Sequence, residues 1–172
     1  MCRVQLRPPL RAAAYGLLRV MLPMVTVPAE LEAVRQLMDE EEAALRAAGL
    51  RCARPPLGIM IEVPAVALTV DLFDAAFVCI GLNDLTQYVT AAGRDAGDVA
   101  AFADPSHPGV LRLIAMVVDA SHAAGRDAGL CGDAAGDPAH IPALLGAGIR
   151  SLTVAPAALA RTKLAIAQTV LS

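Results

Sequence analysis

Three short segments carry the residues best suited to chemistry. Glu62 ends the run Gly58-Ile-Met-Ile-Glu-Val63, Asn83 and Asp84 follow Phe77-Val-Cys-Ile-Gly81, and Cys131 and Asp133 follow Ala128-Gly-Leu. If the apolar runs are neighbouring strands of a parallel sheet, their polar ends share one face, where the active sites of such folds lie. Glu62 and Asp84, two carboxylates from adjacent strand ends, could ligate one hard divalent cation. Mg²⁺ is the natural candidate, because it takes oxygen ligands and keeps positions for water and substrate oxygens.

Each residue also has a plainer reading. Asp is a common N-cap, so Asp84 could simply cap the helix that follows. Glu62 resists that reading, because a carboxylate closing Ile-Met-Ile-Glu is costly to bury unless it is paired or metal-bound. A small buried apolar role suits most single cysteines, and we assign it to Cys79 inside Phe-Val-Cys-Ile. Cys131 differs in lying at a strand mouth beside Gly132. Arg94 falls in the loop after Asp84, a place where arginines are commonly just solvated. His107, His122 and His140 show no spacing from Ser or Cys that suggests a triad, and read as structural or surface residues.

These residues need a scaffold, and the hydrophobic pattern supplies one. Arg19 to Val25, Gly58 to Val63, Phe77 to Gly81, Ala128 to Cys131 and Ser151 to Val154 read as five buried strands. Between them lie helices expected from Pro28 to a stop at Gly49, over Ala65 to Phe73, and from Pro108 to about Ala124. Two more are expected from Asp137 to Gly146 or Gly148, and from Pro156 to Val170. Ala91 to His107 reads as a long loop with one helical turn. Pro8-Pro9 should start or stop the first helix, since proline inside a helix costs about 3 kcal/mol. Strands that are apolar throughout imply an α/β fold, with a parallel sheet covered on both faces. The pattern leaves open a doubly wound sheet or part of a (β/α)₈ barrel, which typically needs about 250 residues. The absence of a G-x-G-x-x-G or G-x-x-x-x-G-K loop counts against the first.

Composition excludes several function classes. The 172 residues are 56% hydrophobic and 3% aromatic, with a formal net charge of −3 and Lys163 as the single lysine, so no basic face for nucleic acid is expected. The four cysteines lack a C-x-x-C pair or a zinc spacing, which fits a reducing cytoplasm. No apolar stretch reaches the ~20 residues of a membrane-spanning helix, and no membrane association is expected.

Longer matches then point to a family. Gly81-Leu-Asn-Asp-Leu-Thr-Gln-Tyr88 resembles the G-T-N-D-L-T-Q-Y signature of Enzyme I, the phosphoenolpyruvate-protein phosphotransferase of bacterial sugar uptake. Ile59-Met-Ile-Glu-Val-Pro-Ala65, Leu130-Cys-Gly-Asp-Ala-Ala-Gly-Asp137 and Val20-Met-Leu-Pro-Met24 resemble three further segments of that family, in the same order. Ser106 to Ile114 and Asp119 to Gly125 match its intervening helices. The related dikinases and phosphoenolpyruvate synthases share the N-D-L-T-Q core, whereas Tyr88 and Ala-Ala-Gly-Asp look more like Enzyme I.

The resemblance implies a partial (β/α)₈ barrel of the phosphoenolpyruvate/pyruvate-binding type. It would hold the last five of eight strands, β4–β8 of such a barrel, as a single domain over residues 1–172. It further implies that Glu62 and Asp84 hold Mg²⁺, that Asn83 and Arg94 bind the phosphoryl group, and that Cys131 is the acid at the methylene carbon. Leu82 and Val63 stand where the family has threonines, Gly93 where it usually has Asp, and Asp133 where it has Glu. The first strands, two further substrate arginines and the domain with the phosphoacceptor histidine are not in these residues, so the chain alone is expected to be inactive in transfer to the phosphocarrier HPr. Full-length family members form homodimers through this domain. An opened barrel exposes two sheet edges, so the isolated chain is expected to be marginal, aggregation-prone or dependent on a partner. Two other readings stand beside this one. The first is a non-catalytic module that binds phosphoenolpyruvate or pyruvate or mediates dimerisation. The second is a fragment of a pyruvate phosphate dikinase or phosphoenolpyruvate synthase, or a Mg²⁺-dependent aldolase or lyase that uses a pyruvate enolate.

Overall fold

A computed structural model describes residues 3–93 and 97–170. Five strands, β1 (Val20–Leu22), β2 (Leu57–Ile61), β3 (Phe77–Gly81), β4 (Asp127–Cys131) and β5 (Leu152–Thr153), form one sheet. All neighbours are parallel, and the strands lie side by side in chain order. That order decides between the two architectures. A doubly wound sheet reverses its strand order at a switch point and carries helices on both faces. Here the order never reverses, so crossovers of one hand keep the helices on one side and the sheet is an arc of a (β/α)₈ barrel.

The helices are α1 (Arg3–Ala12), α2 (Pro28–Ala47), α3 (Pro64–Leu68), α4 (Leu82–Thr90), α5 (Pro108–Ala123), α6 (Ile141–Gly146) and α7 (Leu159–Gln168). Each strand alternates between two faces. Leu57, Ile59, Ile61, Val78, Ile80 and Leu130 face the helices and are buried with Leu31, Met38, Val66, Ile114 and Val117. Met21, Met60, Phe77, Cys79, Asp127, Gly129, Cys131 and Thr153 occupy the other face. None of them is fully buried. The expectation of a sheet covered on both sides is therefore corrected: among the described residues, the concave face is open. Its small residues, Gly58, Gly81 and Gly129, had been read as part of an apolar run.

Local signals explain most boundaries. Pro28 opens α2, where the Glu30 carboxylate accepts the backbone N–H groups of Thr26 (2.5 Å) and Val27 (3.0 Å). Those bonds hold Glu30 below the usual carboxylate range. Gly49, at φ +70°, stops the chain after α2. The helix expected over Ala65 to Phe73 is shorter than predicted, with α3 giving way to a 3-10 turn at Val70–Leu72. The helix expected from Asp137 begins instead at Ile141, because Asp137 Oδ1 accepts the Ala139 N–H in a local turn. The loop after α4 holds one 3-10 segment, Gly97–Phe102.

The helix break expected at Pro8-Pro9 does not occur. Both prolines lie inside α1. The acceptors they leave unbonded, four residues back, are the carbonyls of Val4 and Gln5, in the exposed first turn of the helix. Tertiary contacts supply the offset: Leu6 and Leu10 are buried, and Arg7 Nε donates to Glu41 on α2 at 2.6 Å, with Arg3 paired to Glu40.

Candidate active site

The ends of β2, β3 and β4 come together, and register fixes which residues meet. Met60 pairs with Cys79, Cys79 with Gly129, and Gly81 with Cys131. Glu62, just past β2, is 3% exposed. Its Oε1 accepts the Met24 N–H at 2.6 Å, which also holds Met24 in a left-handed conformation, φ +52°. Its Oε2 lies over Gly81, where an added Cβ would come within 2.9 Å of that oxygen. Gly81 is therefore the floor on which the carboxylate rests.

Asp84 reaches the same place from α4. The N-cap of α4 is Gly81, so Asp84 sits in the first turn without being the cap, and the cap reading is set aside. Its side chain hydrogen-bonds that of Glu62. Burial first, and then the Asp84 charge, raise the Glu62 carboxyl above its usual range, against the Met24 N–H that lowers it. Two carboxylates in contact, one of them buried, are a donor set that a divalent cation would relieve of both repulsion and desolvation. Among the described residues no cluster of three or more His, Cys, Asp or Glu could hold a metal. A two-carboxylate site still fits Mg²⁺, which commonly completes its shell with water and substrate oxygens.

Asn83 points to the neighbouring strand end. Its Nδ2 donates to Asp133 Oδ2 at 3.1 Å, and its Oδ1 accepts the Asp133 backbone N–H at 3.1 Å. This two-way clasp crosses Gly132, whose φ of +126° suits glycine alone and whose Cβ, if present, would lie 2.9 Å from Asn83 Oδ1. The clasp links α4 to the turn after Cys131.

Cys131 is half-buried, with β3 between its strand and the one that ends at the Glu62 carboxylate. Its thiol is held down to about 7, chiefly by a hydrogen bond from Cys79, against burial and the Glu62 charge, which raise it. The same bond, with burial, pushes the Cys79 thiol up. Cys79 was expected to be a plain core residue. It is corrected here: it is half-buried on the concave face, beside Cys131. The signal that could have found it is the register, which puts Cys79 and Cys131 two positions apart on adjacent strands. Arg94 lies outside the described residues. His107 accepts the Gly109 N–H and caps α5, and His140 Nδ1 bonds Ser106 Oγ at 2.7 Å, both structural roles as expected.

The larger cavities do not include the carboxylates. One of about 550 Å³ lies between α1 and the end of α2, against Arg7, Tyr15 and Leu45. Another of about 510 Å³ opens near the N-terminal ends of the strands, against Arg19, Phe77 and Asp127. The carboxylates and Cys131 sit at the C-terminal ends, the usual location for chemistry in this architecture.

Comparison with known proteins shows the family and the fold. Residues 1–171 match the family described as PEP-utilising enzyme, PEP-binding domain. A phosphoenolpyruvate-protein phosphotransferase from Lactococcus lactis subsp. lactis is 42% identical over 166 residues, 95% of this chain and 29% of that protein. Proteins of the same name from Listeria monocytogenes and Staphylococcus carnosus are 41% and 40% identical, each over 94% of this chain and 29% of their own length. The chain thus spans less than a third of these relatives. A crystal structure of a citrate lyase from Burkholderia xenovorans LB400 has the same fold, with a TM-score of 0.67 at 21% identity. The match covers 95% of this chain and 53% of that one.

Proposed function

The chain belongs to the PEP-binding-domain family of PEP-utilising enzymes, and from that premise we propose that it is the substrate-binding part of an Enzyme I-type phosphoenolpyruvate-protein phosphotransferase. The observation that carries this reading is the Glu62–Asp84 contact: a carboxylate 3% exposed against a second carboxylate, at the C-terminal ends of barrel strands.

Glu62 and Asp84 would hold Mg²⁺, which when bound neutralises the phosphate and carboxylate of phosphoenolpyruvate and so favours phosphoryl departure. Glu62 is fixed by the Met24 N–H and by the floor at Gly81, so its carboxylate needs little reorganisation to do this. Asn83 keeps one amide hydrogen beyond the one given to Asp133, and that hydrogen would be donated to the phosphoryl group. Arg94 is assigned to the same group by the resemblance alone. As the phosphoryl group leaves for an acceptor histidine, Cys131 gives its proton to the methylene carbon. The S–H bond breaks, a C–H bond forms, and the enolate becomes pyruvate. Cys79 then donates to the thiolate left behind. A thiol near 7 is matched to proton transfer in both directions at neutral pH.

The acceptor histidine belongs elsewhere, because no Gly-Gly-x-Thr-Ser-His motif occurs in the 172 residues. We assign these residues to a single C-terminal domain. By the resemblance, the complete protein is a cytoplasmic homodimer that passes the phosphoryl group to HPr. Among the described residues no helix is long and apolar enough to cross a membrane.

The test is deuterium exchange into the methyl group of pyruvate, followed by NMR in D₂O with Mg²⁺. Exchange in the native chain that disappears in Cys131→Ala supports the assignment. Exchange that survives in Cys131→Ala overturns the role of Cys131. Mg²⁺-dependent binding without any exchange favours a module that binds and does not catalyse.

A further inference from the structure

The turn after Cys131 carries a carboxylate to which the reaction above gives no part. Asp133 opens the 3-10 turn Asp133–Gly136, and that turn is anchored on its far side. Ala134 and Ala135 are buried, and Arg161 of α7 donates its Nε–H to the Gly136 carbonyl at 2.9 Å. A Cβ added at Gly136 would lie 3.0 Å from Ala158 Cβ, so the turn rests directly on the residues that lead into α7. Asp133 is exposed at the outer end of this fixed base, and both its main chain and its side chain reach Asn83.

Those two bonds determine which way the Asn83 amide faces. The Asp133 backbone N–H can only donate, so the Asn83 atom it meets at 3.1 Å is the amide oxygen. The Asp133 carboxylate can only accept, so the Asn83 atom it meets at 3.1 Å is the amide nitrogen. A flipped amide would set N–H against N–H and oxygen against oxygen. The terminal torsion of an asparagine is soft, and Asn83 is only half-buried. With the backbone partner alone, its amide would swing more widely.

We propose that Asp133 is a positioning residue for phosphoryl binding: it holds Asn83 with the amide oxygen engaged and one N–H left to donate. The inference rests on the phosphoryl role proposed above for Asn83. An amide turned the other way would present oxygen to an anion and repel it, so the orientation decides the sign of the contact. Preorganised donors of this kind stabilise charge without having to reorganise as the group binds. The carboxylate acts through Asn83, and its effect belongs to ligands that carry a phosphoryl group. Phosphoenolpyruvate has one, and pyruvate does not.

The experiment is titration calorimetry of phosphoenolpyruvate and of pyruvate, each with Mg²⁺. The proteins are the native chain, Asp133→Ala and Asp133→Asn, with the same substitutions repeated in an Asn83→Ala background. Asp133 is exposed, so its side chain can be removed without leaving a cavity. Asp133→Ala should weaken phosphoenolpyruvate about 2- to 12-fold, the range of one hydrogen bond, and change pyruvate by less than about twofold. Asp133→Asn keeps an acceptor for the Asn83 amide and should restore the affinity for phosphoenolpyruvate. In the Asn83→Ala background, neither substitution at Asp133 should matter further, which separates the clasp from anything else the carboxylate does. Equal weakening of both ligands marks a merely structural role and overturns the proposal. Failure of Asp133→Asn to restore affinity, or an undiminished effect in the Asn83→Ala background, overturns it too. A native chain that takes up no phosphoenolpyruvate refutes the proposed function itself, and the inference falls with it.

Discussion

Replacing Gly132 with Ala tests the clasp that positions Asn83, and its effect can be worked from the structure. Gly132 has φ +126° and ψ 169°, a region that only glycine enters easily; forcing another residue there costs about 1–3 kcal/mol. The new Cβ would also lie 2.9 Å from Asn83 Oδ1 and 3.3 Å from Leu82 Cβ. Leu82 is fully buried and cannot yield, so Asn83 must move and lose its two bonds to Asp133. Bonds of this kind contribute about 0.5–1.5 kcal/mol each, with the lower end fitting an exposed partner such as Asp133. The sum is a loss of about 2–4 kcal/mol. Gly125 provides the control: it has φ +64° and nothing within 4 Å of an added Cβ, so Gly125→Ala carries left-handed strain alone, about 1–2 kcal/mol. Urea denaturation of both variants, with m-values compared, measures the difference. Repeating Gly132→Ala in an Asn83→Ala background should recover the part due to the clash. Equal losses in Gly132→Ala and Gly125→Ala, or no recovery in the Asn83→Ala background, would refute this reasoning.

Three further outcomes follow from the same contacts. Glu62 has a folded pKa above its ordinary 4.5, so the folded chain holds that proton more tightly than the unfolded one; its contribution is full at low pH and is lost as pH rises through the raised folded value. Glu62→Gln should thus raise the metal-free melting temperature at pH 7.5 but not at pH 4, and should abolish stabilisation by Mg²⁺; scans at the two pH values check both. Gly81→Ala should push the Glu62 carboxylate off its floor and weaken Mg²⁺ binding at least tenfold by calorimetry, with β3 pairing intact by circular dichroism. Glu41→Gln removes the charge that Arg7 and Arg3 share. Because both arginines are more than half exposed, the loss should be only about 1 kcal/mol. Faster amide exchange confined to α1 would locate it.

The sequence made the alternating βα order and the strand-end carboxylates legible because both are local. Glu62 breaks an apolar run, and Asn83-Asp84 follow another directly, so their shared face is a matter of topology alone. The open concave face was not legible: Gly58, Gly81, Gly129, Cys79 and Cys131 are small, and small residues look apolar in a one-dimensional pattern. Only strand register reveals that they share one side. The placement of Cys79 and Cys131 on the same face of adjacent strands was hidden for the same reason, since the two are far apart in sequence. Pro8-Pro9 misled because helix propensity was weighed without the buried Leu6 and Leu10 and without the Arg7–Glu41 bond across α1 and α2. Asp84 would be read as a cap until Gly81 is found at that position.

The most direct test of the central claim is titration calorimetry of phosphoenolpyruvate into the chain, with and without Mg²⁺, for the native sequence and for Asp84→Ala. Binding should require Mg²⁺ and fall at least tenfold in Asp84→Ala. Binding that is indifferent to Mg²⁺, or unchanged in Asp84→Ala, would contradict a Glu62–Asp84 metal site for this substrate.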